Sequence, residues 1–231
     1  MILYDYTTTR ERAGPEKFMQ GYRGYLQADA YGGYDAFFKD PARGLMEVGC
    51  WSHARRYYYK ALDSDRERMG PALLLIAQLY QVEKQARSLA AEDRLRLRQL
   101  QSRPELDKLR DYLLDIEIAV LPKSPAGRAV RYTLKNWTAL TRYCQDGDLE
   151  IDNNATERAI RGVAVGRNNW MFFGSDNGGH TAAVLRSFLA SCQRVSVDPF
   201  TWLKDVLARI PAHPVTRLAE LLPHDWASDP V

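Results

Sequence analysis

The sequence predicts an α/β protein that carries a large all-helical section. Three observations lead there. Residues Ile2 to Thr7 alternate apolar and polar side chains with tyrosines among them, the pattern of a strand. Strand and helix patterns then alternate up to about Leu62, as in an α/β fold. From Asp63 the period changes. Leu75, Leu79, Val82 and Ala86, and later Leu106, Leu109, Leu113 and Ile116, stand three and four apart, which is the spacing of an apolar helix face.

Each element has its own local signal. Pro15 suits the first turn of a helix over Pro15 to Tyr22. A strand over Tyr25 to Ala28 ends at Asp29, just before the turn glycines Gly32 and Gly33. A carboxylate at a strand end is a usual catalytic or metal-binding position in an α/β protein, and also an ordinary turn residue. A short helix, Tyr34 to Lys39, stops at Asp40-Pro41, and Leu45 to Trp51 predicts a third strand. Ser52 is placed to cap a helix over His53 to Leu62. That helix carries Arg55 and Arg56 beside Tyr57, Tyr58 and Tyr59. Cations interleaved with aromatics grip phosphates and stack bases, or snorkel over a core. Val130, Leu134, Trp137, Thr141 and Cys144 predict one further helix.

The stretch Asp148 to Arg167 is the richest in chemistry. Asn153 or Asn154 can cap a helix, with Glu157 in capping-box position three residues after Asn154. Arg158 and Arg161 share a face of that helix. Two readings stand side by side. One is a capped helix with a solvated basic face; the other is a metal-binding carboxylate flanked by arginines that hold a phosphate backbone. Asn168 to Phe173 then predicts a short aromatic strand. Gly174 to Gly179 predicts a flexible loop without the Gly-Lys-Ser/Thr ending of a Walker loop. Thr181 to Arg194 and Phe200 to Ile210 predict helices, the second with Trp202, Val206 and Ile210 on one face. A short leucine-rich helix is expected in the tail, His213 to Trp226.

Composition limits the function classes. At 231 residues and 45% hydrophobic content, a sizeable core is available. The net charge of +3 gives no bulk argument for nucleic acid, so that case rests on local patches. The three cysteines, Cys50, Cys144 and Cys192, are odd in number and far apart, which fits a reducing cytoplasm rather than a disulfide framework. No Cys-x-x-Cys pair supports structural zinc. The run Ala72 to Ala77 is too short to span a bilayer, and no signal-peptide pattern is present.

Four stretches carry a resemblance. These are GYLQADAYGGYD (Gly24 to Asp35), GCWSHARR (Gly49 to Arg56), LEIDNNATERAIRGVAVGRNNWMFFGSDNGGHTAA (Leu149 to Ala183) and the tail from Val197 to Trp226. Their text and order resemble the insertion-sequence-66 family of bacterial DDE transposases. The resemblance implies a ribonuclease-H-like core, N-terminally truncated here, with a large all-helical insertion and a helical C-terminal tail. It divides the chain into truncated core (1–62), insertion (63–147), return to the core with the glutamate helix (148–195) and tail (196–231). It implies that Asp29 and Glu157 are catalytic and bind Mg²⁺ or Mn²⁺ in a two-metal site. It implies DNA contacts by Arg55, Arg56, Arg158, Arg161 and Arg167.

The implied activity is cleavage and strand transfer at insertion-element ends, near the nucleoid. DNA is the implied partner, with pairing of two copies on the element ends and accessory element-encoded proteins alongside. The family pattern places a first aspartate upstream of the strand with which this sequence begins. The chain is therefore expected to be inactive alone; Asp5 matches a different position. A non-catalytic DNA-binding module is the alternative. Three departures from the pattern are Asn168 where lysine is usual, Gly162 where proline is frequent, and His180 where an acid is common.

Overall fold

The computed structural model describes residues 1–9, 11–28, 34–166 and 173–226. The chain divides into one unit of Met19–Thr156 and a second that joins Met1–Phe18, including the short helix α1 (Ala13–Phe18), to Glu157–Val231. α1 ends four residues before the predicted Tyr22.

In the first unit, β1 (Gly24–Gln27) and β2 (Leu45–Val48) pair in parallel, Gly24 opposite Leu45 and Gln27 opposite Val48. The helix α2 (Asp35–Lys39) lies between them in the chain. This pair is the sheet found among the described residues, so the α/β class is met only by a small β-α-β element in a largely helical chain. β2 stops at Val48, short of Trp51, because α3 (Trp51–Ala61) has begun there. Ser52 is already inside α3, and its cap position is held by Cys50.

The helical section follows as α4 (Arg66–Ala86), α5 (Ala91–Leu97), a π-helical turn at Arg98–Ser102, α6 (Arg103–Glu117), α7 (Pro125–Lys135) and α8 (Trp137–Thr141). Asp65 caps α4, its carboxylate accepting the Arg68 N–H. Ser124 caps α7 in the same way through Gly127. The predicted helix from Val130 to Cys144 is broken at Asn136, whose side chain donates to the Tyr132 carbonyl at 2.8 Å. A polar side chain bonding its own preceding turn competes with the helix ladder.

The predicted apolar stripes meet in one core. Trp51, Ala54 and Tyr58 of α3, Ile76 and Leu79 of α4, and Leu106, Leu109 and Leu113 of α6 are all buried. Two polar groups within it are paired. The Trp51 indole donates to the Leu140 carbonyl at 2.8 Å, and the Tyr58 hydroxyl donates to Thr133 Oγ1 at 2.9 Å. Arg98 is fully buried. Its guanidinium meets both oxygens of Glu83 at 2.8 and 2.7 Å and donates to the carbonyls of Tyr143 and Asp146 at 3.0 Å each. These four bonds tie α4 to the residues after α8.

α9 (Asn154–Gly166) crosses the division, its first turn in one unit and the rest in the other. The second unit contains α10 (Asp176–Arg194) and α11 (Pro199–Arg209). Their core is Cys192, Trp202, Val206 and Leu221, with Phe188 and Trp226 against it. Ile210 lies outside it at 48% exposure, because α11 has ended at Arg209. The leucine-rich tail, Val215–Leu221, is a 3₁₀ helix rather than an α-helix.

The predicted strand Ile2 to Thr7 is extended but pairs with no strand among the described residues; it lies along α10. Ser191 Oγ accepts the Ile2 N–H at 2.9 Å and donates to the Ile2 carbonyl, and Ser187 Oγ accepts the Tyr4 N–H at 2.8 Å. The match is one of period. Two residues of extended chain advance about 6.7 Å, and four residues of helix about 6 Å. The same helix absorbs the predicted glycine loop. Ser175 caps α10 by accepting the Gly178 N–H. A Cβ on Gly179 would lie 2.4 Å from the Tyr6 ring, so this glycine serves close packing rather than flexibility.

Candidate catalytic and nucleic-acid site

The parallel pair presents the carboxyl ends of β1 and β2 to one stretch of chain, Glu150 to Asn153. The Gln27 side-chain amide, at the end of β1, donates to the Glu150 carbonyl at 2.7 Å. Just past β2, the Trp51 N–H donates to the Ile151 carbonyl at 3.1 Å, and the Asn153 N–H donates to Cys50 Sγ at 3.3 Å. Gly49 N–H donates to the Ala139 carbonyl. A Cβ on Gly49 would meet the Leu140 backbone nitrogen at 3.0 Å, so the strand end sits tightly on α8. The segment two residues before Asp29 and the segment that runs into α9 are therefore held together despite the long stretch between them.

The start of α9 is organised by Asp152. One carboxylate oxygen accepts the Asn154 N–H at 3.1 Å. The other accepts the Asn154 side-chain amide at 2.7 Å and the Tyr80 hydroxyl at 3.1 Å. Burial first, and then the Asp152 charge and hydrogen bond, push the Tyr80 phenol well above its ordinary range. The hydroxyl is thus a permanent donor that ties α4 to α9. Asn154 is the first residue of α9 and not its cap, so Glu157 is the fourth helical residue, one position past the third that a capping box uses. The cap expectation for Asn154 is corrected accordingly. The backbone of the first turn is served by Asp152, which accepts an N–H two residues ahead as aspartates do in turns.

Cys50 lies beneath this turn. It is buried, and its Sγ is 3.2 Å from His53 Nδ1. Burial raises the thiol pKa, opposed by hydrogen bonds from Asn153, His53 and Ser52. The thiol is therefore protonated near neutrality and serves as a structural acceptor.

The other predicted site residues are placed as follows. Glu157 is half-buried on α9, with Arg158 and Arg161 exposed on the same helix. The Ala159 carbonyl between them accepts the Tyr4 hydroxyl at 2.6 Å, which anchors this part of α9. Arg55 and Arg56 are exposed on α3, in the other unit. Asp29 and Arg167 lie outside the described residues, as do Asn168 to Phe172 of the predicted aromatic strand. Gln27 and Asp152 go unmarked by motif logic. The available signal for Gln27 is a polar side chain ending an apolar strand. For Asp152 it is an aspartate directly before the asparagines of a helix start.

Carboxylate oxygens, the groups that Asp29 and Glu157 carry, are the ligand type that hard divalent cations take. Among the described residues no helix is long and apolar enough to cross a membrane. All three cysteines are buried and free of disulfides.

Comparison with known proteins adds the following. A sequence profile described as the Transposase IS66 family matches residues 1–181, and one described as the IS66 C-terminal element matches 187–224. Three relatives come from Sinorhizobium fredii. The uncharacterized protein y4hP is 37% identical over 97% of this chain, y4jD 35% over 99%, and y4qI 31% over 100%. The chain spans 43%, 46% and 44% of their respective lengths, less than half of each. No solved structure matches it.

Proposed function

Because the chain belongs to the IS66 family of transposases, we propose that it provides part of the catalytic region of a DNA transposase. The reaction class is metal-dependent phosphodiester cleavage and strand transfer at element ends. The family match along nearly the whole chain carries this reading. The hydrogen bonds that hold the carboxyl end of β1 against the residues leading into α9 support it. They hold Gln27, two residues before Asp29 in the chain, against the residues that lead into α9.

In this reading the surroundings are a ribonuclease-H-like core interrupted by the helical section, and Asp29 and Glu157 hold Mg²⁺ or Mn²⁺. When bound, such ions activate the attacking oxygen and stabilise the leaving oxygen of an in-line displacement. The chain's own part is to hold two carboxylates in register. Gln27 and Asp152 are positioning residues, fixing the end of β1 and the start of α9. Arg158 and Arg161 lie one turn apart on α9, suited to a phosphate backbone running past Glu157. Arg167 extends the same set.

The test is thermal unfolding with and without Mn²⁺ on the chain and on Asp29→Ala and Glu157→Ala. A ligand that binds the folded state alone raises its stability. At a concentration 100 times Kd the gain is about 2.7 kcal/mol. We expect Mn²⁺ to raise the midpoint of the parent and of neither variant. An equal rise in all three would remove Asp29 and Glu157 from the site.

The exposure of Arg55, Arg56, Arg158 and Arg161 also favours a second reading, a DNA-binding module without catalysis. Salt-dependent DNA binding unchanged by Asp29→Ala and Glu157→Ala, with no metal stabilisation, would select it.

A further inference from the structure

A cleft in the Met19–Thr156 unit has no part in the site above. It has a volume of about 600 Å³ and is lined by Lys39, Arg128, Arg131, Lys135, Tyr57 and Tyr132, among others. Arg128, Arg131 and Lys135 follow one another three and four residues apart on α7, so they form one stripe. All three are exposed, as is Lys39. Among the described residues none of these four cations forms a salt bridge. Four like charges gathered on one concave surface repel one another, and a cleft focuses their field. The arrangement is complementary to a polyanion.

The other wall is aromatic. Tyr57 of α3 and Tyr132 of α7 stack with ring centroids 4.7 Å apart and planes 29° from parallel, and Tyr57 is still 40% exposed. A supported aromatic ring with a solvent-facing surface is a platform for a planar group. Two acids, Asp35 and Glu47, complete the lining. Burial, and then the Asp35 charge, push the Glu47 carboxyl up, while Arg142 and Lys135 oppose this. The cleft thus keeps a positive balance and retains acceptors for the amino groups of a base.

The length of the stripe favours a strand over a free nucleotide. From Arg128 to Lys135 the helix rises about 10 Å. A stacked single strand places a phosphate about every 3.4 Å, so the stripe faces about three of them. An adjoining cleft of about 250 Å³ shares Glu47, Lys135 and Asn136 and adds Arg142, extending the basic surface.

We propose that this cleft binds a segment of single-stranded DNA, its phosphates on Arg128, Arg131 and Lys135 and an unstacked base on Tyr57. The proposal rests on the DNA-acting reading of the chain and adds to it a contact surface separate from Asp29 and Glu157.

The experiment is fluorescence anisotropy of labelled oligothymidylate on the full chain across a salt series, with duplex of the same length as a second probe and thymidine monophosphate as competitor. The variants are R128Q/R131Q/K135Q, Tyr57→Ala, Tyr57→Phe and R158Q/R161Q, each first shown to unfold at the parent's midpoint. The expected result has four parts. The triple variant weakens single-strand binding at least about tenfold, and the slope of log K against log salt falls by about 2. Tyr57→Ala weakens binding about tenfold while Tyr57→Phe restores it. The parent prefers single strand to duplex. Thymidine monophosphate does not displace the strand.

Parent-like binding by the triple variant, with loss in R158Q/R161Q, overturns the cleft and leaves the DNA reading standing. Equal or tighter duplex binding overturns the single-strand assignment. Displacement by the mononucleotide reassigns the cleft to a free nucleotide. No binding of either DNA by the parent at low salt overturns the cleft and the DNA reading together.

Discussion

Arg98 is a charge that the fold has taken fully out of water. Four of its N–H donors go to Glu83 and two carbonyls, and its guanidinium lies 5.1 Å from the Tyr143 ring centroid. Removing one partner of a buried pair strands the other, which costs more than the pair itself contributes. We expect Arg98→Met to lower stability by about 3–5 kcal/mol, read from the urea midpoint of the Met19–Thr156 unit. A change within about 0.5 kcal/mol would mean that Glu83 regains water in the variant. The sequence places Arg98 in an arginine-rich run that suggests a solvated face. Nothing local distinguishes it from Arg94 or Arg96, because its burial depends on carbonyls some 45 residues away. Asp152 poses the same difficulty, since its partner Tyr80 lies 72 residues back.

At the scale of elements, α10 shows how a helix can take the place of a strand partner. Ser187 and Ser191 stand one turn apart and meet alternate residues of the extended N-terminal segment. Each such hydrogen bond contributes about 1 kcal/mol net. The double variant S187A/S191A is therefore expected to destabilise the second unit by about 2–3 kcal/mol and to speed hydrogen exchange at the amides of Ile2 and Tyr4. Unchanged protection at those amides would assign them another partner.

Two carboxylates at the α11 end of the same unit are held in their charged form. The Trp226 indole N–H first, and then Arg209, hold the Asp205 carboxyl below its ordinary value of 3.8, and the Thr201 hydroxyl and N–H do the same for Asp198. A carboxylate with a depressed folded pKa stabilises fully above its unfolded pKa and loses that contribution as pH falls through the folded one. The unit's thermal midpoint should therefore drop as pH falls below about 3.8. Asp205→Asn should flatten that slope, and an identical slope in the variant would place the titration elsewhere. Asp198 caps α11 with Pro199 as its first residue, a helix start of the kind that is marked locally. The Asp205–Trp226 bond joins residues 21 apart and carries no local mark.

At the scale of the whole chain, the two units differ in the size of their cores. Five helices of the first unit, α3, α4, α6, α7 and α8, contribute to an extensive apolar cluster, whereas the second rests on Cys192, Trp202, Val206 and Leu221 with a few flanking groups. A chain of more than one unit need not unfold in a single step. With tryptophan fluorescence from variants that keep Trp202 and Trp226 or keep Trp51 and Trp137, we expect the first pair to report an earlier urea transition. Coincident transitions would show that the units unfold as one.

Family membership and the helical faces are legible in the sequence alone. A helix face recurs every three or four residues, so Leu75 to Ala86 and Leu106 to Ile116 identify themselves before any contact is known. The long motifs around Gly24, Gly49 and Leu149 specify the family without reference to packing. Tertiary structure alone decides which polar groups are partners. It places the N-terminal segment against helix serines instead of a strand and turns a glycine-rich stretch into a capped helix under Tyr6. It brings the end of β1 to Glu150 across 123 residues, and it gathers Arg128, Arg131, Lys135 and Tyr57 on one cleft. The physical reason is the same in each case. A backbone period is a local property, while the satisfaction of a buried donor or the gathering of like charges depends on chain segments that meet only after folding.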